Sequence, residues 1–217
     1  MKYFIFSIDD GTIFDEKVLQ ILNRFGFKGT FNLNSGMDDF VWYNEGREVR
    51  RFILKDHIDL YKNHDIASHS FYHPHMTSLD DQGVYEQVNN DIHNLKEIFH
   101  REVNTFAFPF EDYDERCINI IKNIEGIKLI RLSALDRSFK MPNDPYHVKI
   151  TSWNIDEALY LIDEFIKNKE AELFIFVSHA YDFEFANAYE KLEALCQKIK
   201  SVENIEVITM SDLIKLL

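Results

Sequence analysis

Short apolar runs alternate with amphipathic stretches along the whole chain. "KYFIFSI", "GTFNLN", "DIASHS", "TFAFPF", "IKLIRL", "YHVKITSW", "ELFIFVSH" and "IEVITM" are brief, rich in β-branched and aromatic residues, and bounded by polar or turn residues, so each predicts a strand. Between them the apolar positions recur at helical spacing. "FDEKVLQILNRFG" places Val18, Leu19, Leu22 and Phe25 on one face, with Asp15 as the expected N-cap and Gly26 just past the C-terminus. "SLDDQGVYEQVNNDIHNLKEIF" does the same with Val84, Val88, Ile92, Leu95 and Phe99. "LKDHIDLYKNH", "DERCINIIKNI", "NIDEALYLIDEFIKN", "AYEKLEALCQKIK" and a final "SDLIKLL" complete the predicted helices.

About seven or eight strands in βα alternation imply an α/β domain built on a parallel sheet or barrel. No repeat, low-complexity tract or Pro/Gly/Ser linker divides the chain, so residues 1–217 read as a single domain. One connection is long: residues 35–52, "SGMDDFVWYNEGREVRRF", are polar and aromatic, and a loop of that length is more often functional than decorative.

Composition narrows the partners. The net charge of −13 argues against nucleic acid or an anionic membrane surface. No apolar run approaches the roughly 20 residues of a membrane span. The few apolar residues before Asp9 are too short for a secretory leader, which implies a cytoplasmic protein. Cys117 and Cys196 fall on apolar-periodic helix positions and read as buried reduced thiols. Nothing in the composition fixes an oligomeric state.

The residues with chemical potential fall at the C-terminal ends of predicted strands: Asp9 and Asp10, His69, Pro109 and Phe110, and His179. That end carries the active site in barrels and the ligand crevice in open α/β sheets. "D-D-G-T" after a strand is close to the aspartyl-phosphate loop of dehalogenase-like phosphatases. In that loop the nucleophile lies two residues before the second Asp. Here that position is Ile8, which cannot form the phosphoenzyme.

His69 and His73 form an H-x-x-x-H pair, a spacing that nine histidines can produce by chance. The pair gains force with a third ligand, and Asp10 at the end of another strand is the candidate. Two imidazoles and one carboxylate hold a Zn²⁺-type ion and leave positions open. Adjacent strand residues point to opposite sides, so Asp9 either diverges at the turn to act as a base or merely shapes that turn. His179 shares the same face and reads as a general acid.

With these residues assembled, the chain resembles the polysaccharide deacetylases, the NodB-homology group of carbohydrate esterase family four. The likeness runs from about Tyr3 to Val207. "SIDDG" resembles the family's first motif, T-F-D-D-G, and "HSFYHP" (His69–Pro74) is similar to its H-[ST]-x-x-H-P motif. "FAFPF" (Phe106–Phe110) resembles the third motif and "FVSH" (Phe176–His179) the fifth. The resemblance implies a distorted (β/α)7-type, TIM-like barrel and N-deacetylation of an acetylated amino sugar or oligosaccharide. The cofactor implied is Zn²⁺ or another divalent ion such as Co²⁺, Ni²⁺ or Mn²⁺. It further implies Asp9 as general base, Asp10, His69 and His73 as metal ligands, and His179 as general acid. The Phe110 N–H would serve as an oxyanion donor, and Val177 would line the acetyl-methyl pocket.

Two positions depart from the family pattern. The third motif's Arg, which pairs with the base, is Ala107 here, and its usual Gly is Glu111. Loss of a cation beside Asp9 would raise its pKa. Arg131, at the end of "KLIRL", is the candidate replacement, itself held by Asp136. Trp153 either stacks on a sugar face or packs as a rim aromatic. The same site chemistry would also serve a hydrolase of non-sugar amides or cyclic imides. A catalytically weak carbohydrate-binding domain is the reading from another class.

Overall fold

The computed structural model describes residues 1–217. Element order is β1 (Lys2–Asp9), α1 (Asp15–Phe25), β2 (Thr30–Leu33), β3 (Val41–Asn44), β4 (Arg47–Arg50), β5 (Asp65–Ser68), α2 (Asp81–Phe99), β6 (Thr105–Ala107), α3 (Glu115–Ile121), β7 (Leu129–Leu135) and β8 (Val148–Ile150). There follow α4 (Ile155–Lys167), β9 (Leu173–His179), α5 (Ala180–Phe185), α6 (Tyr189–Lys200), β10 (Ile205–Val207) and α7 (Met210–Leu213).

The strands run in the order β9-β1-β2-β5-β6-β7-β8, all parallel. A parallel bridge from Ser152, beyond β8, to Phe176 of β9 brings the two ends together. The result is the expected distorted seven-stranded α/β barrel. β10 adds beside the first residues of β1, where β2 has not yet begun to pair.

Alternation along each strand separates two apolar layers. Phe4, Phe6 and Ile8 of β1 join Phe174 and Phe176 of β9 and the buried stripes of α1, α2, α4 and α6 in the larger core. Ile5 of β1 faces the barrel interior with Leu129, Val148, Ile150, Leu173, Ile175 and Val177. Met210 and Leu213 of α7 belong to that inner cluster, and α7 is tied to the starts of β2 and β5 through Thr30 and Asp65. The interior is therefore filled at the N-terminal ends of the strands, which leaves the C-terminal ends to form a cavity.

Local chemistry fixes the helix ends. Asp80, Asp114 and Asn154 each accept the backbone N–H three residues on, from Gly83, Cys117 and Glu157. Gly26 (φ 73°) closes α1 in the left-handed conformation that glycine adopts without a Cβ penalty.

Three expectations need correction. Asp15 is not the N-cap of α1; Phe14 holds that position. The Asp15 carboxylate is fully buried and accepts the Thr12 N–H, the Thr12 hydroxyl and the Tyr61 hydroxyl. Burial pushes its pKa up to about 7 against those three hydrogen bonds. "LKDHIDLYKNH" is not an α-helix but two short 3-10 turns, Leu54–Asp56 and Ile58–Tyr61. Between them the His57 N–H bonds the Leu54 carbonyl, three residues back, and its ring Nδ1 pairs with the Ile53 carbonyl, a local side-chain contact of the kind that competes with helix. Finally, residues 35–52 are not a plain loop, because they contain the antiparallel hairpin β3–β4.

Candidate active site

β1 delivers Asp9 on its inner face, and the chain then turns sharply. Asp10 sits at φ 86° and Gly11 at φ 67°. A Cβ on Gly11 would lie 2.8 Å from the Leu33 side chain, so that turn needs glycine for space as well as for backbone. The left-handed Asp10 swings its carboxylate toward the same cavity as Asp9, which a regular strand could not do.

β5 ends at Ser68, and the His69–His73 turn carries two further left-handed residues, Ser70 (φ 69°) and His73 (φ 52°). Such strain persists only where neighbours over-determine it. Asp91 of α2 accepts hydrogen bonds from the Ser68 hydroxyl, the His69 N–H and the Ser35 N–H and hydroxyl. Asn34 donates to the His69 and Ser70 carbonyls. Gly36 packs so closely on this turn that a Cβ would lie 2.7 Å from the Phe71 carbonyl oxygen.

Asp10, His69 and His73 each present a ligand atom, and these atoms lie within 4.8 Å of one another. His69 Nδ1 donates to the Ala107 carbonyl at 2.8 Å, which leaves Nε2 with its lone pair directed at the cluster. Burial keeps both imidazoles neutral: it lowers the His69 pKa, and burial together with neighbouring His69 takes His73 down to about 3. Burial alone would raise Asp10, but Arg51, His179 and His73 together hold it far below the usual carboxylate range. A buried carboxylate between two neutral imidazoles suits a divalent ion.

Asp9 lies beside this cluster, 3 % exposed. Arg131 Nη2 sits 2.7 Å from both of its carboxylate oxygens, and Asn32 Nδ2 donates to Oδ1 at 2.6 Å. Burial pushes Asp9 up, yet Arg131, His69 and His179 outweigh it and lower the pKa below its ordinary value. The sheet register explains the geometry. Arg131 of β7 is the parallel partner of Ala107 of β6, the position where the family pattern places its arginine. A small residue at 107 leaves room on that face for the guanidinium arriving from the next strand. The companion expectation fails: Asp136 accepts the Ser138 N–H and does not hold Arg131.

On the other side, His179 Nδ1 lies 3.0 Å from Asp182, and His179 Nε2 lies 3.9 Å from Asp10. Burial lowers the imidazole pKa, but Asp182, Asp10 and Asp9 win and raise it to about 9. Tyr181 stacks on this ring at 4.8 Å and donates its hydroxyl to Asp10 Oδ2 at 3.2 Å.

Asp9, Asp10, His69, His73, His179 and Tyr181 line a cavity of about 620 Å³, large enough for a sugar ring and its neighbours. Trp153 and Phe110 form part of its wall. Phe110 is left-handed (φ 56°) and stacks on His75 at 4.2 Å; its N–H has no protein acceptor. Val177 lies elsewhere: it is fully buried in the inner barrel cluster beneath the cavity and is not part of the lining.

Sequence reasoning missed Arg51, Tyr181, Asp182, Asn34 and Asp91. Asp91 had a legible signal, an acid between Val88 and Leu95 on an apolar helix stripe.

The model of the polysaccharide deacetylases matches residues 1–126, more than half of the chain and all of the Asp9–Asp10 and His69–His73 segments. The chain belongs to the polysaccharide deacetylase family. An uncharacterized protein of Bacillus subtilis (strain 168), YlxY, is 26% identical over 120 residues, 55% of this chain; the chain's match spans about a third (34%) of that relative's length. Solved structures share the fold at lower identity. A family 4 acetyl xylan esterase from Clostridium thermocellum, in complex with a cobalt ion, superposes with a TM-score of 0.67 at 15% identity, covering 99% of this chain and 91% of that one. A family 4 carbohydrate esterase of Bacillus subtilis gives 0.63 at 19% identity, covering 99% and 81%. A CE4 family pseudoenzyme from Bacillus anthracis gives 0.65 at 17% identity, covering 98% and 65%. This polysaccharide deacetylase relative has no helix long and apolar enough to cross a membrane.

Proposed function

We propose that the protein is a metal-dependent hydrolase that removes the N-acetyl group of an amino sugar or its oligosaccharide and releases acetate. The observation that carries this reading is the convergence of Asp10, His69 and His73 within 4.8 Å, with Asp9 on one side and His179 on the other. Zn²⁺, Co²⁺, Ni²⁺ and Mn²⁺ all suit this nitrogen-and-oxygen donor set. A divalent ion held by those three residues would polarise the amide carbonyl and supply Lewis acidity for hydrolysis.

The chain's own groups divide the remaining work. Arg131 keeps Asp9 ionised, so Asp9 can accept the proton of the attacking water. The Phe110 N–H, without a protein acceptor, is available for the developing oxyanion. His179, held protonated by Asp182, delivers a proton to the leaving nitrogen. Trp153 and Phe110 line the cavity and supply aromatic surface for contact with a pyranose ring.

The test is hydrolysis of a substrate panel with Zn²⁺ or Co²⁺ added, read as acetate release from N-acetylated saccharides and small acetamides and as ring opening to the half-amide for cyclic imides. Turnover of an N-acetyl saccharide that disappears in Asp9→Asn supports the proposal. Turnover confined to imides would move the substrate class. Saccharide binding without turnover would favour a carbohydrate-binding domain.

A further inference from the structure

The hairpin β3–β4 returns to the site through residues 50–52, and this segment is bonded to the Asp10–Ile13 turn. The Ile13 N–H donates to the Arg50 carbonyl and the Phe52 N–H to the Gly11 carbonyl, both at 3.0 Å, and Thr12 and Arg51 form an antiparallel bridge. Arg51 itself is 5 % exposed. Its Nη2 donates to Asp10 Oδ1 at 2.9 Å, and its Nη1 donates both to the Asp10 backbone carbonyl and to Asn34 Oδ1. Trp42 of the same hairpin covers the guanidinium, 5.1 Å from ring to Arg51, and packs edge-on against Tyr181. Asn34 passes the connection on, since its amide donates to the His69 and Ser70 carbonyls at 2.5 and 2.7 Å.

One guanidinium therefore grips the strained Asp10 at both its backbone and its carboxylate. Through Asn34 it also grips the turn that carries His69. We propose that Arg51 is a positioning residue that presets Asp10 and the His69–His73 turn to receive a divalent cation. The inference rests on the metal-site reading above and adds a determinant of that site's affinity. The planar fork sets two nitrogens at fixed spacing, Nη1 on the Asp10 carbonyl and Asn34 and Nη2 on the Asp10 carboxylate, an arrangement the single nitrogen of an ammonium does not reproduce. Partners that orient metal ligands typically contribute about 10–100-fold in metal affinity. Against this, Arg51 brings a positive charge to a cation site, and charge alone would weaken binding. The two effects predict opposite signs.

The experiment is calorimetric titration of chelator-stripped protein with Zn²⁺, paired with the visible absorption of the Co²⁺ form, for wild type, Arg51→Lys, Arg51→Met and Asn34→Ala. Near-ultraviolet circular dichroism verifies folding, and Arg50→Gln, at an exposed ion pair with Asp39, is the control. Arg51 as a positioning residue predicts about tenfold or greater loss of Zn²⁺ affinity in Arg51→Lys and Arg51→Met, and an altered Co²⁺ spectrum. Asn34→Ala should lose affinity in the same direction although it leaves the charge in place. Unchanged affinity in the Arg51 variants, or tighter binding in Arg51→Met with a wild-type value in Arg51→Lys, overturns the inference and leaves the metal-site reading standing. A wild-type protein that takes up no Zn²⁺ or Co²⁺ overturns both.

Discussion

Arg131→Met removes the guanidinium from Asp9 while keeping an unbranched side chain in its place. Both partners are nearly inaccessible, Arg131 at 1 % and Asp9 at 3 % exposure, and the contact is 2.7 Å to each oxygen. A neighbouring cation of this kind holds a carboxylate down by about 1–3 pH units, and each unit is worth about 1.4 kcal/mol. The variant should therefore lose about 1–4 kcal/mol of folding stability at pH 7. That figure sits at or below the roughly 3–5 kcal/mol of a fully buried pair, because Asp9 also borders the cavity. The pH dependence has a definite sign. In the wild type, Asp9 is depressed, so its contribution is complete above the unfolded carboxylate value and is lost as pH falls through the lower folded value. Without Arg131, burial raises Asp9, and the variant is penalised wherever the carboxylate must stay ionised. The gap between the two proteins should thus be widest near pH 7 and shrink toward pH 4. Urea unfolding of wild type, Arg131→Met, Asp9→Asn and the double variant at both pH values measures the gap and the coupling. A pair coupling below about 0.5 kcal/mol at pH 7, the usual scatter for independent sites, or a gap that does not narrow in acid, would show that Arg131 does not hold Asp9 ionised.

Asp182→Asn should weaken the support that keeps His179 at about 9. Because His179 is raised, its proton is present below that value and lost above it, so the alkaline limb of the kcat/KM profile should move to lower pH. A limb unmoved in the variant would remove His179 from the proton-donor role. Gly36→Ala should destabilise by about 1–3 kcal/mol, because its Cβ would press on the Phe71 ring and carbonyl. Urea unfolding checks the first effect, and Zn²⁺ titration should show weaker binding as the His69–His73 turn shifts. Trp153→Ala should raise KM for saccharides with little change in kcat if the ring stacks on substrate. Equal steady-state constants would leave it a packing residue.

Most helices were legible because each buries one face, which writes its period into the chain, and the central strands because, buried on both faces, they read as short continuous apolar runs. The positions of Asp9, Asp10, His69 and His179 followed, since each lies where a strand period ends in a turn. The partners of these residues were harder to read, because they act through space across large sequence separations. Arg51 is 41 residues from Asp10 and reaches it only because a hairpin folds back on the turn. Arg131 was legible as an unexplained cation in an apolar strand, but not at its end as expected, since β7 continues to Leu135. Its supposed anchor, Asp136, was not, because the Ser138 N–H satisfies that carboxylate locally. Asp15 carried a cap-like pattern, but tertiary contact with Tyr61 decided its role. In "LKDHIDLYKNH" the helical spacing was present, but the segment folds as two 3-10 turns with His57 bonded to the backbone between them. Val177 was placed by its motif alone; the inward alternation of β9 puts it below the cavity, in the barrel interior.

Under the proposed function, hydrolysis depends on one divalent ion held by Asp10, His69 and His73. Acetate release from an N-acetylated oligosaccharide, measured as chelator-stripped protein is titrated with Co²⁺, tests it most directly. The expected result is no turnover in the stripped protein, a linear rise that breaks at one equivalent, and no rise in Asp10→Ala. Full activity after stripping, or turnover in Asp10→Ala equal to wild type, would contradict it.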